Sequence, residues 1–320
     1  MTNLQTLSPS TFANARDLGF STRYHIGQVA ITRVVESEYA RLNPLELLPD
    51  ASPELIEQNL AWMAPRFMDP ESRLLIISMQ GFVVHSAGKI ILVDTCVGDC
   101  KHRVRKDFLN KEWGWLDKLK QAGVEPEAVD YVVCTHFHVD HVGWNTCLDN
   151  GKWVPTFPNA RYLLTREEWD FWRSEAGRPG LERTGDYLED SILPVVEAGL
   201  ADFVAPDHVL DANIRFEHMP GHTPGLIGVR IDSDGQAAII AGDVMHTPLQ
   251  CRYPDWSTRF CADQTLSRQS RRQFLDTYSN TGILVLPAHF PSPTAGYVET
   301  DGDSFRFLYA EDEALTEETK

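Results

Sequence analysis

Four side chains able to bind a metal, His136, His138, Asp140 and His141, fall within six residues, and an apolar, β-branched run beginning at Tyr131 leads straight into them. Residues two apart in extended chain point the same way, about 6–7 Å apart, so His136 and His138 can close on one ion through their imidazole nitrogens. Asp140 and His141 lie just beyond, aimed toward a second ion. Two ions need further donors, each where a strand ends beside small or turn-forming residues that let backbone approach closely. The chain supplies three after apolar runs: His222 in Pro-Gly-His-Thr-Pro-Gly, Asp243 in Ala-Gly-Asp and His289 in Pro-Ala-His.

Short apolar runs predict strands at 28–35, 74–79, 81–85, 90–94, 131–135, 162–165, 214–218, 227–231, 237–241 and 283–287. Helical patterns cover 113–122, 166–173, 185–198 and 265–278, and Thr165 and Glu168 have capping-box spacing. Ser52-Pro53-Glu54 predicts a further helix, running through Leu55, Ile56, Leu60 and Met63 to a stop at Pro65. Hairpin strands mixed with strands separated by helices imply mixed sheets with helices packed outside. We expect an irregular N-terminal arm at 1–23 and one domain at 24–320 with a helical insertion at about 44–70. The aromatic, Met-rich end of that insertion, Trp62, Met63, Phe67 and Met68, either joins the core or overhangs a pocket.

Lys and Arg number 29 against 46 Asp and Glu, a formal charge of −17 spread along the chain, which argues against a nucleic-acid partner. The nearest basic cluster, Lys101, His102, Arg103, Arg105 and Lys106, is expected to be a solvated face. Six cysteines without a CxxC pair give neither a disulfide framework nor a thiolate zinc site, and fit reduced thiols in a cytoplasm. With no secretory-type start and no stretch near ~18 apolar residues, neither export nor a membrane span is expected.

In order and context, the His136-x-His138-x-Asp140-His141 signature with the downstream His222, Asp243 and His289 resembles the metallo-β-lactamase superfamily, over roughly residues 24–295. The resemblance implies an α+β fold, a four-layer αββα sandwich of two mixed β-sheets with helices on the outer faces and the metals at one edge. It places His136, His138 and His222 on one ion, Asp140, His141 and His289 on the other, and Asp243 between them. Asp rather than Cys at 243 resembles the hydrolase branches. Two divalent metal ions, zinc first by the N/O donor set, would provide a bridging hydroxide near neutral pH and polarise a carbonyl or phosphoryl oxygen. Asp140 is the expected proton shuttle.

Asp94 resembles the family's strand-end Asp that supports the ligand cluster. At His246, lactonases that cleave acyl-homoserine lactones commonly carry Tyr, whereas the branch resembling methyl-parathion hydrolase carries His, so this side chain is expected to be catalytic, touching substrate or bracing a ligand. Trp62, Met63, Phe67, Trp144, Trp256 and Phe260 are candidate pocket walls. The expected function is hydrolysis of a small-molecule lactone or ester. On the same ions, phosphotriester hydrolysis or hydrolytic dehalogenation of an activated aromatic are alternatives, and a non-catalytic metal-binding scaffold or sensor is the alternative of another class. A homodimer is a family-level expectation.

Overall fold

The computed structural model describes residues 21–310. The chain opens with β1 (Ser21–Ile26), β2 (Val29–Leu42), α1 (Pro44–Leu47), α2 (Pro53–Met63), β3 (Leu75–Ser86), β4 (Lys89–Val93), α3 (Trp115–Gln121) and β5 (Tyr131–Val133). A small hairpin, β6 (Thr146–Asp149) and β7 (Lys152–Pro155), precedes β8 (Arg161–Thr165), α4 (Arg166–Trp172), α5 (Arg178–Thr184), α6 (Tyr187–Ser191), α7 (Leu193–Glu197) and β9 (Ala201–Val204). The remainder is β10 (Ile214–His218), β11 (Ile227–Ser233), β12 (Gln236–Ile240), α8 (Leu249–Arg252), α9 (Gln264–Tyr278), β13 (Leu284–Leu286), β14 (Gly296–Asp301) and β15 (Ser304–Tyr309).

Seven strands form one sheet in the order β1-β2-β3-β4-β5-β8-β9, and β10 to β15 form a second of six in chain order. Both are mixed, with β4, β5, β8 and β9 parallel in the first and β12 and β13 parallel in the second. Alternation along the strands explains the layers. Phe82, Val84, Ile91 and Val93 face Val229, Ile231, Ala238 and Ile240 between the sheets, while Val83, Leu92 and Val132 point outward under α3 and the helices after β8. On the far side Ile239, Val285 and Val298 meet Phe274, Leu275 and Tyr278 of α9. Strands buried on both faces read as continuous apolar runs, which is why the sequence reveals them.

Several expectations need correction. Residues 21–23 belong to β1 rather than to the arm; residues 1–20 lie outside those described. The strand expected at 28–35 runs on to Leu42, because β-bulges at 35–37 and 40–42 carry it past the polar Glu36-Ser37-Glu38. The two runs at 74–79 and 81–85 are one strand, β3. Its apparent break, Gln80, is buried, donating to Pro287 O at 3.0 Å and accepting from Ser78 Oγ at 2.8 Å. The helix expected at 185–198 is split into α6 and α7, since Pro194 brings no N–H to a continuous helix.

The basic cluster is not a solvated face throughout. Lys101 is fully buried, its ammonium donating to Thr146 Oγ1 and Asp190 O, and the almost fully buried Arg103 makes a two-pronged pair with Asp190 at 2.5 and 2.8 Å. The helical insertion contributes Leu47, Ile56, Met63, Phe67 and Met68 to the outer core. No helix among the described residues is long and apolar enough to cross a membrane.

Candidate metal centre

All the strand-end donors emerge at one rim of the sandwich. Ile240 of β12 pairs with Leu286 of β13, so Asp243 and His289, each three residues further on, leave side by side. On the facing sheet Val93 pairs with Val133, setting Asp94 next to the turn that carries His136. The main chain of Ile227 donates to Thr135 O at 3.0 Å and ties the two sheets together at this rim. Two glycines permit the close packing. A Cβ on Gly143 would sit 1.9 Å from Val97 O, and one on Gly221 would sit 2.1 Å from Ser267 N, with φ at +127° there.

The seven expected donors come together, with Asp243 between two groups of them. Its Oδ2 lies 3.6 Å from His136 Nε2 and 3.2 Å from His222 Nε2. Its Oδ1 lies 3.3 Å from His141 Nε2, and His289 Nε2 is within reach of both oxygens, 3.1 Å from Oδ1 and 3.2 Å from Oδ2. His138 turns Nδ1 inward, 3.1 Å from His136 Nε2 and 2.8 Å from His222 Nε2. Asp140 stands 3.9 Å from His141 and 3.7 Å from His289, and of the seven only His138 and Asp140 are partly open to solvent. One group is therefore His136, His138, His222 and Asp243, and another Asp140, His141 and His289, each with its donor atoms within 4.8 Å of one another.

Such a concentration of lone pairs fits divalent cations. Burial alone would raise the Asp243 carboxyl, but the surrounding imidazoles of His289, His141, His246 and His136 hold it well below the usual carboxylate range. His141 Nε2 and Asp243 Oδ1 are buried without a hydrogen-bond partner. Two nitrogen-rich sets sharing one carboxylate suit zinc-type N/O coordination.

The other ring nitrogens are held from behind. His141 Nδ1 donates to Asp94 Oδ2 at 2.8 Å, and Asp94 also accepts from the Thr135 main chain and hydroxyl at 2.7 and 2.8 Å. Asp94 sits in left-handed backbone, φ 60°, an uncommon conformation that aims its carboxylate between two donor-bearing turns. His136 Nδ1 meets Thr135 Oγ1 at 3.1 Å, and His289 Nδ1 donates to Ser78 O at 2.9 Å. His222 Nδ1 meets the Cys261 thiol at 3.4 Å. His246 joins the knot, its Nε2 3.1 Å from Asp243 Oδ2, and forms a further grouping with Asp243 and His289. Gln250 holds the His246 main chain at 2.7 Å and reaches Trp256 O at 2.9 Å.

Three supports escaped the sequence reading. Glu168 does not cap α4. Its buried carboxylate instead accepts from Phe137 N, Gly225 N and Trp172 Nε1, at 2.7–2.9 Å, binding the turns that carry His136, His138 and His222. Glu36 accepts from Val97 N, Gly98 N and Trp144 Nε1 beneath the His141 turn. Cys261 is the third. A glutamate placed four residues before a tryptophan is the only sequence trace of the Glu168–Trp172 contact, and it equally suits an ordinary helix.

A narrow cavity of about 50 Å³ opens over the donors, with His138, Asp140, Asp243, His246 and His289 in its lining. Of the candidate pocket walls only Phe260 lines it. Trp62 is exposed and bonded to Asn59, Met63 is in the core, and Phe67 stacks on Tyr309. Trp144 lies against Trp115, and Trp256 stacks on Tyr253 at 4.0 Å, so these aromatics are packing. A larger cavity, about 420 Å³, is lined by Val104, by Trp172 to Ser174, by Arg178, Leu181 and Glu182 of α5 and by Gly185 and Asp186, with none of the seven donors, and Trp172 is shared between its lining and the back of His138.

Similarity to known proteins agrees with this architecture. An N-acyl homoserine lactonase from a Bacillus species is 25% identical over 122 residues, 38% of this chain and 40% of that protein. The N-acyl homoserine lactonase AttM of Azorhizobium caulinodans is 26% identical over 212 residues, 61% of this chain and 70% of that protein. The chain thus spans well under half the length of the Bacillus relative it matches. Two solved structures superpose over 90% of this chain and 97% of theirs at 21% identity: AidC, a dizinc quorum-quenching lactonase in complex with a product, with a TM-score of 0.75, and the hydrolase AbOPH of the beta-lactamase superfamily, with 0.76. The sequence profile of the metallo-beta-lactamase superfamily matches residues 80–289, and with that span, the sandwich and the donors at its rim, this chain belongs to the metallo-beta-lactamase superfamily.

Proposed function

We propose that the protein is a dinuclear metal-dependent hydrolase that cleaves a small-molecule lactone or ester with two zinc ions. The observation that carries this reading is the place of Asp243 between two sets of donors, Oδ2 beside His136 and His222, Oδ1 beside His141, and His289 within 3.2 Å of both oxygens. The lactonase relatives support the bond type.

Divalent cations bound there supply Lewis acidity, bringing a water's pKa near neutrality and polarising a scissile carbonyl. The chain's own residues do the rest. Asp140, partly open to the cavity, takes a proton from the attacking water and returns it to the leaving oxygen. Burial pulls the His246 imidazole down to about 4, so it is neutral at pH 7. With its Nε2–H donated to Asp243, His246 keeps Nδ1 as an acceptor for a substrate donor. The narrow cavity excludes bulk water from the reacting bond. The same reading has the protein cytoplasmic and paired as a homodimer.

The test is proton release by zinc-loaded protein, before and after chelation, with an acyl-homoserine lactone, an aryl ester, a phosphotriester and a chlorinated aromatic nitrile. Chelator-sensitive turnover of the lactone or ester is the expected result. Turnover of the phosphotriester or nitrile alone would move the bond type, and silence with two metals bound per chain would leave a scaffold.

A further inference from the structure

The cavity above the donors has two arginines in its lining, Arg105 and Arg183, in a chain of net charge −17. Its apolar walls are Leu42, Ile77, Met79, Phe108 and Phe260. Both phenylalanines carry guanidinium groups. Arg183 lies 5.4 Å and Arg259 5.9 Å from the centre of the Phe260 ring, and Arg105 lies 4.5 Å and Arg41 5.8 Å from that of Phe108. Arg105 is neutralised by Asp107 at 2.6 Å. Among the described residues no carboxylate lies within ion-pair distance of Arg183 or Arg259, the nearest charges to Arg183 including Arg259 and Arg105 themselves. Like charges held around one ring cost free energy unless an anion joins them, and a guanidinium on an aromatic face still offers its N–H edge to such an anion.

Resting on the hydrolase reading above, we propose that the substrate is an anionic amphiphile: an ester or lactone whose apolar arm ends in a carboxylate, sulfate or phosphate held by Arg183 and Arg259. Its acyl group meets the donors on the cavity floor, its arm lies along Met79, Phe108 and Phe260, and its charged end reaches the rim. In the reaction the acyl C–O bond breaks, the water oxygen bonds to the acyl carbon, and the water proton ends on the departing alkoxide. The distal anion is unchanged. Focusing of the field by a cationic mouth on an acidic protein also speeds capture of such a substrate.

The experiment compares 4-nitrophenyl octanoate with mono-4-nitrophenyl octanedioate, equal in length but for the terminal carboxylate, in wild type, Arg183→Lys and the double variant Arg183→Glu/Arg259→Glu. Calorimetry with octanamide and 7-carbamoylheptanoate, which are far more resistant to hydrolysis, reads binding separately. Wild type is expected to favour the anionic ester by about tenfold or more in kcat/KM, a preference that shrinks severalfold as salt rises and survives in Arg183→Lys. In the double variant the preference disappears or inverts, and calorimetry shows the same pattern for the amides. Equal use of the two esters, or a preference untouched by the double charge reversal because the carboxylate sits on the floor, overturns the proposal. If neither ester is turned over, the hydrolase reading fails, and the amides alone decide: arginine-dependent binding of the anionic amide upholds the rim as an anion site, and its absence overturns it.

Discussion

On one side of Asp243 the imidazoles of His141 and His289 are braced by a carboxylate and a main-chain carbonyl, Asp94 at 2.8 Å and Ser78 at 2.9 Å. On the other, His136 and His222 are braced by a hydroxyl at 3.1 Å and a thiol at 3.4 Å. Hydrogen bonds to ionised acceptors are shorter and roughly twice as strong as neutral ones, and a carboxylate behind an imidazole raises its basicity as a ligand. Each side rests further out on a buried glutamate that gathers main-chain N–H groups, Glu36 behind His141 and Glu168 behind His136 and His138. The two halves thus share a plan but differ in the groups that brace them, a carboxylate and a main-chain carbonyl against a hydroxyl and a thiol. The half at His136 and His222 should release its cation at the lower chelator concentration.

Substitutions at four positions test this contrast. Asp140→Asn removes the proposed proton acceptor on the His141 side and is expected to lower kcat by about 10²–10⁴-fold with both metals retained; steady-state kinetics beside metal analysis checks it, and near wild-type turnover would remove Asp140 from the mechanism. Glu36→Gln probes the outer support of that side. Burial pushes the Glu36 carboxyl up to about 7 against the lowering hydrogen bonds from Val97, Gly98 and Trp144. The folded state therefore binds a proton that the unfolded chain releases near 4.5, and stability falls as pH rises from about 4.5 to about 7. Wild type should lose about 3 kcal/mol relative to the Gln variant across that window, read from urea unfolding at a series of pH values; parallel curves would refute the buried-proton account.

Asp94→Ala should weaken cation binding by about 10–100-fold, most at the His141 site. Titration with a chromophoric chelator measures it, and equal loss at both sites would mean that the Thr135 contact carries as much as the His141 contact. The smallest change is expected for Cys261→Ala, about tenfold at the His222 site, with Cys261→Ser recovering part of it. Cobalt absorption spectra report that site directly, and an unchanged spectrum and affinity would reduce Cys261 to packing.

The donors were legible because metal chemistry favours a few side-chain types, imidazole and carboxylate among them, and because a strand that is apolar on both faces announces where it ends. The strand of Ala237 to Ile240 and the Gly-Asp that follows it are one such case. The supports were less so. Glu168 has the spacing of a helix cap and makes none, since Thr165 Oγ1 is already bonded to Gly225 O and the carboxylate is drawn to three donors across the fold. Glu36 lies in a polar run that resembles the end of a strand, yet β2 continues through it. Phe67, Trp144 and Trp256 lie outside the cavity lining for a related reason: a Trp or Phe buried in a core and one lining a cavity, as Phe260 does, have the same local pattern.

Residue type and spacing alone pointed to the family, to the alternation of the strands' apolar faces and to the seven candidate donors, because each depends on residue type at a spacing the backbone geometry prescribes. Packing of the whole fold was needed to set Asp243 among His222 and His289, to stand Cys261 behind His222, and to bring Arg183 over Phe260. Those contacts join residues far apart in the chain, and their distances are set by how two sheets and their covering helices pack.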